Sequence, residues 1–350
     1  MTDTTHPAPF VDLISDTATR PCQAMRQAMA QAPVGDEQLN EDPCVNKLNT
    51  MVAQMLGKEA ALFLPSGTMA NQIALAVHCR SGDAILAAQN AHIIGSEGAG
   101  AAVFAGTVIR GIDTPDGIFD ADDLVSLWRA PKVKSPAVKV VAVEQTNNRG
   151  GGSVWPLETL RAVSNFARER GLVMHMDGAR LMNAVLASGV PARDYAELCD
   201  TVWIDLSKGL GCPIGSVLAG SRQFIEQANV WKHRFGGAMR QAGIVAAAGI
   251  YAFENNIDRL ADDHRRARTF AEFLLEMPGI HLAQKNVQTN LVFFNVEKTG
   301  QRASDIARAL LARGVRIGAE SDTNMRAVFH LDIDDQGLDH AMRAVREVLS

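Results

Sequence analysis

Thr201-Val202-Trp203-Ile204-Asp205-Leu206-Ser207-Lys208-Gly209-Leu210-Gly211 reads as an apolar strand that runs into a lysine set among glycines. A lysine at the end of a buried strand is costly unless its amine is neutralised or used covalently. The flanking glycines let another group approach the backbone. Upstream, a second apolar run at 172–176 is closed by Asp177-Gly178-Ala179-Arg180. Ligands of open α/β sheets gather outside the carboxyl ends of the strands, so Lys208 and Asp177 mark one edge of one sheet.

Working outward, short apolar runs at 61–64, 84–87, 103–105, 138–143 and 216–219 join 172–176 and 201–205 as predicted strands. Helical patterns lie between them, for example at 158–170, where Leu160, Val163, Phe166 and Ala167 share a face. This alternation predicts an α/β fold with a mostly parallel central sheet. Ahead of it, 20–32 reads as a helix and 33–43, rich in Gly, Pro and acidic residues, as an extended loop. A long charged helix at 255–276 leads to a smaller C-terminal α/β domain with strands at 291–296 and 328–331, a helix at 303–313 and a last helix. The expected division is 18–255 for the large domain and 256–350 for the small one, with 1–17 contributing to the active site.

A third motif, Leu64-Pro65-Ser66-Gly67-Thr68-Met69-Ala70-Asn71, again follows a strand and opens a helix. Free N–H groups at a helix start, with Ser and Thr hydroxyls beside them, form a phosphate cup. His92 follows the strand at 84–87 and could serve as acid or base. Each motif has a plain alternative: an exposed lysine, a helix-capping aspartate, an ordinary turn, a core histidine. Together, an amine, a carboxylate able to face a pyridine nitrogen and a phosphate cup match the needs of pyridoxal 5'-phosphate (PLP).

At 350 residues, with 47% hydrophobic and 21% charged residues and a net charge of −5, the chain has the make-up of a globular enzyme. Scattered basic residues argue against a nucleic-acid or anionic-membrane surface and for a small-molecule partner. Residues 1–10 carry no signal-peptide pattern, and no apolar run is long enough to span a membrane. The five cysteines, at 22, 44, 79, 199 and 212, show no metal-ligand spacing. Free thiols in a reducing, cytoplasmic setting are the expectation, with no metal.

The chain resembles the low-specificity L-threonine aldolases of the fold-type I, aspartate aminotransferase-like PLP enzymes. Matching segments include Asp12–Thr17, Val34-Gly35-Asp36, Glu41-Asp42-Pro43, Pro65–Asn71, Asp177–Arg180, Leu206–Gly211, Gly236–Gly243, Thr289-Asn290, and Arg326 with His330-Leu331-Asp332. The resemblance implies cleavage of a β-hydroxy-α-amino acid, threonine, allo-threonine or a relative, to glycine and an aldehyde. It implies that Lys208 holds PLP, that Asp177 pairs with the pyridine nitrogen, and that Ser66, Gly67 and Thr68 hold the phosphate. His92 would stack on the ring, and Ser15, Arg180 and Arg326 would bind the substrate carboxylate. Arg240 would reach the phosphate region of a neighbouring subunit's site in a homodimer or homotetramer.

Three departures from the family's pattern matter: Lys232-His233 stands for the basic pair that usually precedes the Gly-Gly segment, and the other two lie nearer the substrate. Asn147 stands where the family has histidine, and can hold a hydroxyl group but not take its proton near neutral pH. Leu39 stands where the family has tyrosine. β-Elimination, racemisation and a non-catalytic PLP-fold protein remain alternatives on the same scaffold.

Overall fold

The computed structural model describes residues 11–128 and 133–349. The expectation about a leader at 1–10 falls outside them. Two compact units emerge. One is Pro21–Ile257; the other joins the described part of Met1–Arg20 to Asp258–Ser350. The N-terminal segment joins the C-terminal unit because Val11–Asp12 pairs in parallel with Val315–Arg316.

In the larger unit, the strands are β1 (Ala60–Leu64), β2 (Ala84–Ala88), β3 (Val108–Ile112), β4 (Val138–Glu144), β5 (Val173–Gly178), β6 (Thr201–Asp205) and β7 (Ser216–Gly220). They form one seven-stranded sheet in the order β1-β7-β6-β5-β4-β2-β3. The pairs from β6 to β3 are parallel, and β7 runs antiparallel to both neighbours. Every residue of β2, β6 and β7 is buried, as expected of strands covered on both faces. This is why they read as unbroken apolar runs.

The helices of this unit that bear on the site are α1 (Gln23–Ala30), α2 (Pro43–Leu56), α3 (Gly67–His78), α4 (Leu157–Glu169), α5 (Leu181–Ser188), α6 (Arg222–Arg234) and α7 (Gly243–Asn255). Asp42 caps α2: its carboxylate accepts from the N–H groups of Cys44 and Val45, and also from Gly35 and Gly243. One buried side chain thus ties the 33–42 loop to the starts of two helices. In α4, Leu160, Val163, Phe166 and Ala167 are buried as the periodicity requires.

Three sequence expectations are corrected. Residues 103–105 end a helix, Gly100–Ala105, rather than forming a strand. Val103 and Phe104 are exposed, and Gly106, at φ +63, turns the chain into β3. An apolar triplet alone does not distinguish the two states. The helix predicted at 255–276 is α8 (Leu260–Leu275), which starts later than expected and is set off from α7 by a short break. Between them Asn256 turns its amide away to donate to Leu210 O at 2.7 Å. The strand predicted at 328–331 is instead Asn324–Val328; beyond it Phe329 N donates to Asn290 O and the His330 ring contacts Asp12 O at 2.7 Å.

The smaller unit packs α8, α9 (Ala303–Leu311) and α10 (Asp335–Leu349) with a four-stranded antiparallel sheet. Its central strands are β8 (Leu291–Asn295) and β9 (Asn324–Val328). Phe270, Phe294 and Phe329 are buried in its core, each stabilising it by roughly 1.5–3 kcal/mol. No helix among the described residues is long and apolar enough to cross a membrane.

Candidate active site

The motif at 64–71 joins a strand to a helix start. β1 ends at Leu64, Ser66 caps α3 by accepting from Met69 N at 3.2 Å, and Gly67 is the first helical residue. Gly67 cannot carry a side chain: a Cβ there would lie 2.5 Å from Trp203 Cζ3 and 3.2 Å from Asp205 Oδ2. The Trp203 indole therefore forms the floor beneath the Ser66-Gly67-Thr68 turn.

Lys208 emerges just past β6. Its Nζ lies 2.9 Å from Asp205 Oδ2 and 5.8 Å from the Trp203 ring centre. Asp205 is itself held, its Oδ1 accepting from Ser207 N and Ser207 Oγ at 2.8 Å each. Arg180, Asn183, Asp205 and Lys208 line one cavity. Arg180 is buried and its N–H donates to Gln145 O.

At the end of β5, Asp177 is buried and accepts at both oxygens: Oδ1 from Ala179 N at 3.0 Å, Oδ2 from Asn71 Nδ2 at 2.8 Å. The Asn71 amide also donates to Glu97 Oε1 at 2.6 Å. Glu97 in turn bonds His92 Nδ1 at 2.8 Å. His92 is one-third exposed (33%), whereas the Glu97 side chain is almost wholly buried. Asn71, His92, Glu144, His175 and Asp177 line a second small cavity.

Electrostatics follow from this burial. The hydrogen bond to Glu97 raises the His92 pKa, against an opposing desolvation, with the charges of Asp177 and Glu144 adding to it. Burial pushes Glu97 up as well. Burial and then the nearby Asp177 charge push Glu144 up to about 7, although it accepts from His92 N and Asn148 N. His175 is driven down to about 3 by desolvation and is neutral. Ligand atoms of His92, Glu97 and Asp177 lie within 4.8 Å of one another, but the hydrogen bonds through Asn71 already account for that closeness.

Ser66, Gly67, Lys208 and Arg180 are thus gathered around Trp203 and Asp205, while His92 and Asp177 meet across Asn71. Other predicted residues have different surroundings. Arg240 has a side chain 62% exposed and pairs with Asp36 at 2.8 Å. Asn147, expected to face the substrate, is fully buried. Its Oδ1 accepts from Gly150 N at 2.6 Å and its Nδ2 donates to Asn90 Oδ1. One end of the amide thus serves its own turn and the other reaches across to Asn90, two bonds that a hydroxyl-holding role for Asn147 would have to share. Ser15 and Arg326 belong to the smaller unit. Ser15 caps the turn Asp16–Ala18, and Arg326 on β9 donates to Ile14 O and lies 3.2 Å from Glu320 Oε1. Leu39 is exposed.

Sequence reasoning missed Asn71, Glu97, Glu144, His175, Trp203 and Asp205. A period-two reading of β5 finds His175 on the same face as Asp177, and the quoted cup motif already ended at Asn71.

The sequence pattern of the family described as beta-eliminating lyase matches residues 12–297. The low specificity L-threonine aldolase of Escherichia coli (strain K12) is 42% identical over 330 residues, spanning 94% of this chain and 96% of that protein. The low-specificity L-threonine aldolase 1 of Arabidopsis thaliana is 36% identical over 345 residues, spanning 97% and 96%. Among solved structures, a putative L-allo-threonine aldolase from Listeria monocytogenes superposes with a TM-score of 0.82 at 22% identity, covering 99% of this chain and 98% of its own. A threonine aldolase from Leishmania major gives a TM-score of 0.82 at 21% identity, covering 97% of this chain and 100% of its own. The α/β fold is that of the fold-type I PLP enzymes. With most of its length matched by one family pattern and nearly all of it aligned to these relatives, the chain belongs to the beta-eliminating lyase family.

Proposed function

We infer that the protein is a PLP-dependent aldolase that cleaves a β-hydroxy-α-amino acid, threonine, allo-threonine or a relative, to glycine and an aldehyde. The threonine aldolase names of its relatives support this. So does one observation above all: a partly exposed imidazole, His92, held by a buried carboxylate beside Asp177.

The residues fit PLP. Lys208 offers an amine and Asp177 a buried carboxylate that only accepts. The Ser66-Gly67-Thr68 turn offers helix-start N–H groups above a floor that admits no Cβ at Gly67. When bound, PLP supplies an electron sink for the pair released from the broken carbon–carbon bond.

The chain's own residues do the rest. Lys208 would hold the cofactor through its amine, with the Asp177 carboxylate as the partner for its pyridine nitrogen. Arg180 clamps the substrate carboxylate, for which a guanidinium fork is suited, and this orients the Cα–Cβ bond. Ser15 and Arg326 remain candidates for that carboxylate by resemblance alone. His92, its Nδ1 tied to Glu97, takes the β-hydroxyl proton at Nε2 as the carbonyl forms.

Two further readings rest on indirect support. Arg240 and the exposed apolar side chains of Val34, Leu39, Val230 and Ile244 suit a homo-oligomer in which Arg240 serves a neighbouring site. The free state of all five cysteines suits a cytoplasmic setting. The family's description keeps β-elimination as the second reading. Aldehyde release from L-threonine, L-allo-threonine and phenylserine tests the assignment. His92→Asn should lower kcat by about 10²–10⁴-fold, and undiminished turnover in that variant would remove His92 from the chemistry.

A further inference from the structure

Trp203 Nε1 carries a hydrogen and no lone pair, so the Asn71 atom 2.7 Å away is the amide oxygen. That choice orients the whole side chain. Nδ2 then faces Glu97 Oε1 at 2.6 Å and Asp177 Oδ2 at 2.8 Å. The flipped amide would set NH2 against the indole N–H and an oxygen against two carboxylates. All of these groups are buried, where an unmade or opposed hydrogen bond is most costly.

The orientation propagates in two directions. Asn71 Oδ1 also faces His175 Nε2 at 3.1 Å, so that nitrogen bears the hydrogen. His175 is neutral, which leaves Nδ1 a lone pair for the Thr201 hydroxyl at 2.9 Å. Thr201 Oγ1, having given its hydrogen, accepts from His78 Nε2 at 3.0 Å. Each donor from His78 onward therefore points toward Asp177. On the other side, Glu97 Oε1 accepts from Asn71 and from His92 Nδ1. His92 Nε2 is left as the nitrogen with a free lone pair.

We propose that Asn71, locked in one orientation by the Trp203 indole N–H, is the positioning residue that sets the donor facing Asp177 and holds in place Glu97, the acceptor that fixes the tautomer of His92. The same indole lies under Gly67 and near Lys208. One side chain therefore links the phosphate turn, the amine, the carboxylate and the base. The hydrogen positions stand on the contact geometry and the neutrality of buried His175; their importance for catalysis rests on the aldolase reading above.

Neutron diffraction from the deuterium-exchanged holoenzyme at alkaline pH, where His92 is neutral, reads the tautomers directly. Deuterium on His92 Nδ1, His175 Nε2 and His78 Nε2 is expected. Deuterium on His175 Nδ1, or on His92 Nε2 with Nδ1 bare, overturns the proposal. The variant Trp203→Phe removes the N–H together with one ring of the indole, so the packing loss is read separately, from the melting temperature, and the lost hydrogen bond from kcat and the spectrum. It should lower kcat about tenfold, the cost of one buried hydrogen bond, with little change in KM and a shifted absorption band of the bound cofactor. A lower melting temperature with kcat and spectrum unchanged would reduce Asn71 to a structural role and refute the proposal. Absence of turnover on every β-hydroxy amino acid would instead overturn the aldolase reading, and the neutron map would still decide the hydrogen positions.

Discussion

Gly67→Ala tests how tightly the cup is built. The added Cβ would lie 2.5 Å from Trp203 Cζ3, about 1 Å inside the ~3.5–4.0 Å at which carbon atoms normally touch. Overpacking of that kind costs on the order of 1–3 kcal/mol. Trp203 cannot simply move aside, because its indole N–H donates to Asn71; losing that bond adds roughly 1–3 kcal/mol. Alanine's better helix propensity returns roughly 0.5–1 kcal/mol. The net destabilisation is therefore about 1–5 kcal/mol, and relief by shifting the turn would move Ser66 and Thr68, the residues proposed to hold the PLP phosphate. Thermal melting with and without added PLP, together with cofactor titration by absorbance, reads both effects. A variant that melts at or above the wild-type temperature and binds PLP equally well would show that the turn is not packed as described.

Further outcomes follow from the same contacts. Glu97→Gln removes the carboxylate that raises His92; since the base must be neutral, the acidic limb of the kcat/KM profile should move to lower pH, and an unmoved limb would dissociate Glu97 from the base. Asp42→Ala strips the acceptor from Gly35, Cys44, Val45 and Gly243 and should cost about 2–4 kcal/mol by denaturant titration; a loss under about 0.5 kcal/mol contradicts that accounting. Asn147→His must fit an imidazole where Gly150 N and Asn90 are already bonded. It should lower the melting temperature without raising kcat/KM for threonine, and a gain on threonine would return position 147 to the substrate site.

Most of the larger sheet could be read from sequence because its strands are buried on both faces and appear as uninterrupted apolar runs. Lys208 and Asp177 stood out as charged residues closing such runs. The supporting residues did not stand out. Asn71 sits one-sidedly in an apolar helix, Trp203 reads as an ordinary core aromatic, and Glu97 follows His92 at a spacing with no fixed meaning. Their roles arise from the parallel order β6-β5-β4, which brings Trp203, Asp177 and Glu144 side by side in register. Asn147 shows the converse. Its place in a recognisable motif suggested a substrate contact, while its amide bonds Gly150 in its own turn and Asn90, distant in sequence. The later start of α8 could not be read because Asn256, in the break before it, bonds Leu210 O, distant in sequence.

What sets this chain's chemistry is which substrate bond breaks, and the bond proposed is Cα–Cβ. Incubation of the PLP-loaded protein with L-threonine, followed by mass analysis of the products, tests it most directly. The account predicts glycine and acetaldehyde in equal amounts, and neither from Lys208→Ala. Ammonia with 2-oxobutanoate, the products of β-elimination, would contradict it.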